Sequence, residues 1–480
     1  MISKKDLKQI NNYLWEIPKE FRDDMLVNAR VYASEKMIED ILKDKSLEQL
    51  VNLSCLKGIQ RYGLAMPDCH EGYASPIGGV AAIDLNEGII SPGMCGYDIN
   101  CGMKLIISNL KEEELKPHLE KLATEIYKEV PSGLGKGRKI KLEISSLDKI
   151  LEKGAKRLYE QGYLNEEDIQ NCEANGNLDW ADPQTVSIYA KKRGQDQVGT
   201  LGSGNHFLEI QKVKEIYDEE AAKVFGLFKD QITIMIHTGS RGLGHQVATD
   251  YIKEFLKLID KYQIKVPDRE FACVPFNSLE GQRYFSAMAC AANYAWANRG
   301  MITYFVRKAW QRIIGKKEEL KILYDVAHNI IKKERYLING KEKELIVHRK
   351  GATRSFPKGN KEIPLKYQSV GQPVLIPGSM GTSSYVLKGV EKAEESFYST
   401  CHGAGRLMSR HQAIKTLTKE DVLKTLKAKG IVVKCASYKG LLEEAPEAYK
   451  NIDEVVEVVH QAGLSLKVAK LQPLAVIKGE

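Results

Sequence analysis

Apolar and polar positions along this chain alternate between helical and strand periods in blocks. Leu7, Ile10, Leu14 and Ile17 recur every three to four residues, and beyond Pro18 a second stripe is formed by Met37, Ile38, Ile41 and Leu42. That spacing predicts an N-terminal helical element over residues 1–55. Residues 60–110 are rich in glycine and poor in charge, with short apolar runs at 80–83 and 104–107 that predict strands joined by special loops. Amphipathic helix returns over 111–163, where Leu119, Leu122, Ile126 and Tyr127, then Leu147, Ile150, Leu151 and Ala155, share faces. Residues 232–236 form a β-branched run that predicts a buried strand. Residues 281–312 predict one long helix with Tyr284, Met288, Ala291, Ala295 and Ala297 on a small, apolar surface, and 321–327 predict another strand. Residues 418–463 read as charged helix, and the tail is apolar up to Lys478, which predicts packing rather than fraying.

These alternating blocks predict an α/β protein: mixed β-sheets surrounded by helices, with function at glycine-rich loops. No linker, repeat or low-complexity tract interrupts the chain, so a single interwoven catalytic domain over 1–480 is expected, the 1–55 element leading into a motif-bearing core over 60–480. Composition adds little to this. The chain has 480 residues, 43% hydrophobic and 28% charged, which is globular rather than disordered. Its net charge of +8 permits an anionic partner such as RNA without requiring one. No apolar run approaches membrane-spanning length, and the N-terminus lacks a signal-peptide core. The nine cysteines follow no scaffold spacing, so a cytoplasmic protein is expected.

The candidate chemistry centres on Gly96-Tyr97-Asp98-Ile99-Asn100-Cys101-Gly102. It sets a carboxylate three residues from a thiol, and a thiolate can bridge two borderline-soft ions. His206, His237 and His328 each sit where an apolar segment meets a small-residue loop. Together with Asp98 and Cys101 they make a mixed N, O and S donor set that suits a two-metal site of zinc, manganese or iron. Three small-residue loops, at 202–205, 377–382 and 403–406, could cradle anions with backbone N–H groups. Neither a Walker A motif nor a dinucleotide fingerprint is present. His402, followed by Gly403, Ala404, Gly405 and Arg406, is a candidate phosphorus nucleophile, with Cys401 as its rival. Arg193, Arg241, Lys350, Arg354, Arg406 and Arg410 lie in or near the glycine-rich loops and could contact an RNA backbone.

Seven motifs then occur in order: D-C-H-E-G-Y from Asp68, S-P-G-x-x-G-Y-D-I-N-C-G from Ser91, G-S-G-N-H-F from Gly202, H-T-G-S-R-G from His237, A-H-N from Ala327, P-G-S-M from Pro377 and H-G-A-G-R from His402. Together they resemble the RtcB family of RNA-splicing ligases, from about residue 60 to the terminal V-I-K-G. The resemblance implies the family's own α/β fold and a GTP- and manganese-dependent ligase. Such an enzyme joins RNA 3′-phosphate or 2′,3′-cyclic phosphate ends to 5′-hydroxyl ends. It implies that His402 becomes guanylylated, that GMP passes to the RNA 3′-phosphate, and that the 5′-hydroxyl then displaces it. Carried over by motif, Asp98, Cys101 and His206 would hold one manganese, and Cys101, His237 and His328 the other. Asn205, His206, Phe207, Leu208, Glu209, His328, Asn329, Pro377, Gly378, Ser379, Met380, Ser384, His402, Gly403, Ala404, Gly405 and Lys478 would surround the nucleotide, with Tyr449 against the base. Implied partners are tRNA halves or broken RNA ends and an archease-like activator, the chain itself being a monomer. Cys95 is expected to be a packing residue. The rival readings are an RNA-repair or end-capping enzyme, a metal-dependent phosphodiesterase in which His402 is only an acid, and a non-catalytic RNA-binding protein.

Overall fold

A computed structural model describes residues 2–133, 137–138, 141–315, 317–435 and 438–479. The expected helical stretches 111–163 and 418–463 each include a few residues outside that set, as does the 1–480 domain at both ends.

Two large sheets dominate. The first runs, in spatial order, through Lys8–Asn11, Leu14–Ile17, Asn28–Tyr32, Tyr62–His70, Ile77–Asp84, Lys341–Lys350 and Asn329–Ile338. The expectation of a helical element over 1–55 is therefore corrected: three strands come first, and only Glu35–Ile41 and Ser46–Leu53 are α-helical. Leu14, Trp15, Glu16 and Ile17 are all buried, so the strand shows no two-residue alternation. The helical spacing came from two short strands meeting at a turn. The N-terminus is part of the core sheet rather than a docked appendage.

The second sheet orders Lys321–Ala327, Gly102–Lys111, Gln231–Thr238, Phe207–Ile216, Leu466–Lys478, Ser384–Lys388 and Pro373–Ile376. Val432–Cys435 adds to it, parallel to Leu466–Lys478, and breaks the helical reading of 418–463 between the helices Lys419–Ala428 and Ile452–Ala462. The predicted strands at 80–83, 104–107, 232–236 and 321–327 and the packed tail are all present. Helices occupy 111–163 as expected, at Leu119–Glu129, Ile144–Lys153 and Ala155–Glu160.

Both faces of the second sheet are covered. Leu105 and Met235 point into one apolar cluster with Phe225 and Tyr367. Ile106, Ile234 and Ile236 point into another with Leu122, Ile126 and Trp310. A strand buried on both sides has no polar face, which is why 232–236 reads as an unbroken apolar run. The 35-residue helix Leu279–Ile313 lies against this sheet and against the helices Leu119–Glu129 and Arg241–Leu258. Ala287, Ala291, Ala292, Ala295 and Ala297 are fully buried along it, small enough for close approach by its neighbours. Among the described residues, no helix is long and apolar enough to cross a membrane.

Candidate active site

The site is built at one edge of the second sheet, and strand direction explains how. Gly102–Lys111 is antiparallel to both Lys321–Ala327 and Gln231–Thr238. Those two strands therefore end where it begins. Gly102 pairs with Ala327 on one side and with Thr238 on the other. Phe207–Ile216 also starts at this edge, Phe207 opposite His237, and Lys478 at the end of its own strand sits opposite Phe207. Two arriving strands thus deliver His237 and His328, and two departing strands are preceded by Cys101 and His206.

The side chains converge. Cys101 Sγ lies 3.4 Å from His206 Nε2 and 3.2 Å from His237 Nε2. His237 Nε2 is 3.3 Å from His328 Nε2, and His206 Nε2 is 2.8 Å from Asp98 Oδ2. Two triads result, Cys101–His237–His328 and Asp98–Cys101–His206, with the thiol common to both. Backbone acceptors orient two of the rings. His206 Nδ1 faces the carbonyl of Leu201 at 3.1 Å, and His237 Nδ1 faces that of Asn205 at 3.1 Å. Each Nδ1 faces outward to a carbonyl, which leaves Nε2 facing the cluster, the arrangement metal-bound imidazoles use. Burial, reinforced by the other imidazoles, pushes His237 and His328 well below the ordinary histidine range, so both are neutral and able to ligate. Burial, then the Asp98 charge, pushes the Cys101 thiol well up. Burial opposes ionisation of Asp98, but His206 outweighs it and holds the carboxyl low. Inward imidazole nitrogens beside a shared thiol and a carboxylate fit a pair of divalent cations.

A guanidinium ties this edge together. Arg299, fully buried on the long helix, donates to the carbonyls of Asn100 and Thr238 at 2.8 Å each and to Asn100 Oδ1 at 3.0 Å. Its Nε donates to Asp325 at 2.8 Å. Asn100 precedes Cys101, Thr238 follows His237, and Asp325 lies on the strand that ends before His328.

His402 follows the short strand Ser399–Cys401, and its ring centroid is 5.0 Å from that of His328. Its Nδ1 is 2.5 Å from Oδ2 of the buried Asp68. The same oxygen accepts the N–H groups of His402 at 2.9 Å and Gly403 at 3.1 Å. Burial opposes the charge on Asp68, but His402 outweighs it and holds the carboxyl below its usual range. Cys401, the rival nucleophile, is fully buried, and burial pushes its thiol well up, so it is the inert form.

Beyond His402 lies a cavity of about 170 Å³. Asn205, Phe207, Pro377, Gly378, Ser379, Met380, His402, Gly403, Ala404, Gly405, Tyr449 and Lys478 all line it, as do Arg406 and Arg410. Ser384 and Glu209 stand behind this lining, both bound to Gln211 Nε2 at 3.0 Å and 2.7 Å. Burial pushes the Glu209 carboxyl up to about 8. Leu208 turns into the core. Asn329 lines a second cavity and holds the loop that carries Asp98 and Cys101, donating to the Asp98 carbonyl at 3.0 Å. Cys95 is fully buried in the apolar core, with its thiol pushed up to about 12 by burial.

The candidate RNA-contacting cations divide. Arg193 is exposed on the helix Ile188–Gly194, and Arg410 is exposed beside the Gly204 loop. Arg241 packs over Gly202, its charge felt by Asp98. Arg406 is committed to Glu444, Tyr449 and backbone carbonyls, and the buried Arg354 pairs with the buried Glu173 and the exposed Glu362. Lys350 is 6% exposed and gives its ammonium to the carbonyls of Tyr73, Ser75 and Gly93. Lys350 and Arg406 are therefore internal ties rather than surface cations.

The sequence model of the family described as tRNA-splicing ligase RtcB matches residues 49–479. The chain belongs to the RtcB family. It is 51% identical over 477 residues to tRNA-splicing ligase RtcB of Thermococcus kodakarensis, covering 98% of this chain and 99% of that protein. The protein of that name from Methanococcus maripaludis is 50% identical, covering 99% and 100% of the two chains, and that from Nanoarchaeum equitans is 52% identical, covering 98% and 99%. The RtcB fold class expected from the motifs is thus the one observed, a mixed α/β domain with the cysteine–histidine cluster at a sheet edge.

Sequence reasoning quoted Asp68 inside a motif without giving it a role, and it passed over Arg299 entirely. For Arg299 a signal existed: a charged residue on the small, apolar surface of the long helix.

Proposed function

We propose that this chain is an RNA ligase that joins 3′-phosphate or 2′,3′-cyclic phosphate ends to 5′-hydroxyl ends, with GTP and two manganese ions as cofactors. tRNA halves are the favoured substrates, in line with the relatives' names, and broken RNA ends are the alternative. The observation that carries the reading is the setting of His402. Its Nδ1 is tied to Asp68, and its ring lies between the metal-ligand cluster and a cavity lined by glycine loops. With the proton held at Nδ1, the lone pair on Nε2 is free to attack phosphorus.

In this reading a cyclic phosphate is first hydrolysed to a 3′-monophosphate. His402 Nε2 bonds to the α-phosphorus of GTP, and pyrophosphate leaves. An oxygen of the RNA 3′-phosphate then takes the GMP, which frees His402 and leaves the RNA end as a mixed diphosphate with guanosine. The 5′-hydroxyl oxygen attacks the RNA phosphorus, its proton is lost, and GMP departs. Asp98, Cys101 and His206 would hold one ion and Cys101, His237 and His328 the other. Such a pair aligns the attacking and leaving oxygens and neutralises charge on the phosphates. Lys478 Nζ, which donates to the Gly204 carbonyl at 2.8 Å, adds a cation at the nucleotide cavity. Arg193, Arg241 and Arg410 would meet the RNA backbone. An archease-like activator, a monomeric state and a cytoplasmic setting belong to the same reading.

Incubation with α-labelled GTP and manganese, followed by a denaturing gel, tests it. A labelled band is expected in the wild type and absent in His402→Ala. A folded, metal-loaded wild type that stays unlabelled, even with an activator added, would bring the phosphodiesterase reading forward.

A further inference from the structure

A second cavity, of about 230 Å³, shares Asn205 and His402 with the nucleotide cavity, and Asp98, Cys101 and His328 form part of its wall. Tyr73 and Tyr97 line it too. Their ring centroids are 5.5 Å apart at 57°. Tyr97 is also stacked on His245, at 4.9 Å and 26°. The three rings form a ladder from the metal loop outward, since Tyr97 immediately precedes Asp98 while His245 is exposed in the first turns of the helix Arg241–Leu258.

The ladder is held from beneath. The buried ammonium of Lys350 binds the Tyr73, Ser75 and Gly93 carbonyls, and so joins the loop that carries Tyr73 to the one that leads to Tyr97. Glu270 accepts the Ala74 N–H at 2.8 Å and fixes the first loop again. Packing alone does not account for the arrangement. A packing cluster would bury its rings, yet His245 faces water and Tyr73 and Tyr97 are only half-buried. Among the described residues neither phenol makes a hydrogen bond. Burial, then the nearby Arg193, keeps His245 below its ordinary range, so the outermost ring is a neutral π face beside a guanidinium. Aromatic rings next to a cation are how proteins hold single-stranded nucleic acid, by stacking bases while the cation takes the backbone.

We propose that the His245–Tyr97–Tyr73 ladder is a base-stacking subsite for the terminal nucleotide of an RNA strand whose end reacts at the metal cluster. It rests on the ligase reading, and it adds a second nucleobase position distinct from the guanine position beside Tyr449. The ligand is a nucleobase at an RNA end, and either the 3′-phosphate or the 5′-hydroxyl strand could supply it.

The test uses the manganese-loaded full chain and short RNAs carrying 2-aminopurine as the last base, at the 3′-phosphate end in one and the 5′-hydroxyl end in the other. Binding by the wild type is expected to quench one of the two, which identifies the strand. Tyr97→Leu is expected to abolish that quenching and raise Kd about tenfold or more, and His245→Ala to raise it severalfold. An abasic end is expected to bind weakly to the wild type and to lose nothing further in Tyr97→Leu. Should Tyr97→Leu also lose metal, the change has reached Asp98, and the exposed His245→Ala decides. Wild-type Kd and quenching in His245→Ala and in metal-loaded Tyr97→Leu overturn the subsite. Labelling with GTP is followed in parallel. An adduct with ladder-independent RNA binding leaves the ligase reading standing without the subsite, and ladder-dependent binding without an adduct does the reverse.

Discussion

Replacing Asp68 by Asn removes the negative charge from the group on which the proposed nucleophile depends. Oδ2 of Asp68 lies 2.5 Å from His402 Nδ1 and also accepts two backbone N–H groups, at 2.9 Å and 3.1 Å. An asparagine carbonyl in the place of Oδ2 still faces both backbone donors and Nδ1, but it is a neutral acceptor, and the charge beside the imidazole is gone. A neutral acceptor holds the proton on Nδ1 less strongly and leaves more of the imidazole with its proton on Nε2, the atom required to attack. A hydrogen bond to an ionised acceptor is worth about 1.5–3 kcal/mol. At about 1.4 kcal/mol per tenfold in rate, the loss predicts guanylylation about 10- to 150-fold slower, with the tautomer change pushing toward the larger value. The assay is single-turnover formation of labelled GMP adduct at saturating GTP, with bound metal measured on the same samples. Stability should respond as well. Because the Asp68 carboxyl is held below its usual range, it contributes stability above about pH 4 that is lost as pH falls through the lower, folded value. Asp68→Asn lacks that contribution and should show a shallower acid limb in denaturation. Metal-loaded Asp68→Asn that forms adduct at the wild-type rate would falsify the orienting role.

Cys101→Ser keeps the shape of the shared donor but not its softness, and bound manganese, measured by elemental analysis after gel filtration, should fall below that of the wild type. Unchanged metal content would mean that the thiol bridges nothing. Arg299→Leu strips Asp325 of a fully buried partner and unties Asn100 from Thr238. A loss of about 3–5 kcal/mol in urea unfolding is expected, the nearby Lys104 offsetting part of it, and an unchanged midpoint would sink the clamp. Glu209→Gln tests the buried carboxyl pushed up to about 8. A raised folded value means that stability is full below about pH 4.5 and drains as pH rises toward 8. The glutamine, neutral throughout, should hold its stability across that window while the wild type declines, and parallel curves would show that Glu209 is ionised in the folded state.

The cysteine–histidine cluster was legible because its members stand at boundaries that composition marks, where an apolar run stops at a histidine or a glycine loop stops at a strand. His237 and His328 follow such runs, and Cys101 and His206 precede them. The N-terminal strands were not legible. Leu7, Ile10, Leu14 and Ile17 mimic a helical repeat, and Leu14–Ile17 is buried at every position, which removes the alternation that would have marked a strand. The strand Val432–Cys435 was missed because four residues between two helices carry too little periodicity to register, and its parallel pairing with the chain's end is not a local property. Asp68 and Arg299 act through partners hundreds of residues away, His402 and Asn100. The pattern around Asp68 carries no trace of that pairing, whereas Arg299 leaves one, a charge on the small, apolar surface of the long helix.

Strand direction also explains why so many separate motifs form one site. Because Gly102–Lys111 runs opposite to both of its neighbours, any residue just before it meets residues at the ends of both. Cys101, just before that strand, therefore reaches His237 on one neighbouring strand with its side chain and His328, at the end of the other, with its backbone. The His328 N–H donates to the Cys101 carbonyl at 2.9 Å, so the backbone itself couples these two candidate ligands. Arg299 couples Asn100 to Thr238 in the same way from below. Cross-strand bonds and one guanidinium thus preset the spacing of the donors, and binding a cation need not recover the entropy of ordering loose loops. The nucleotide side is built differently, from loops at 377–380 and 402–406 that meet across the cavity. Metal binding should therefore survive changes in those loops that abolish guanylylation, whereas a change at the sheet edge should remove both.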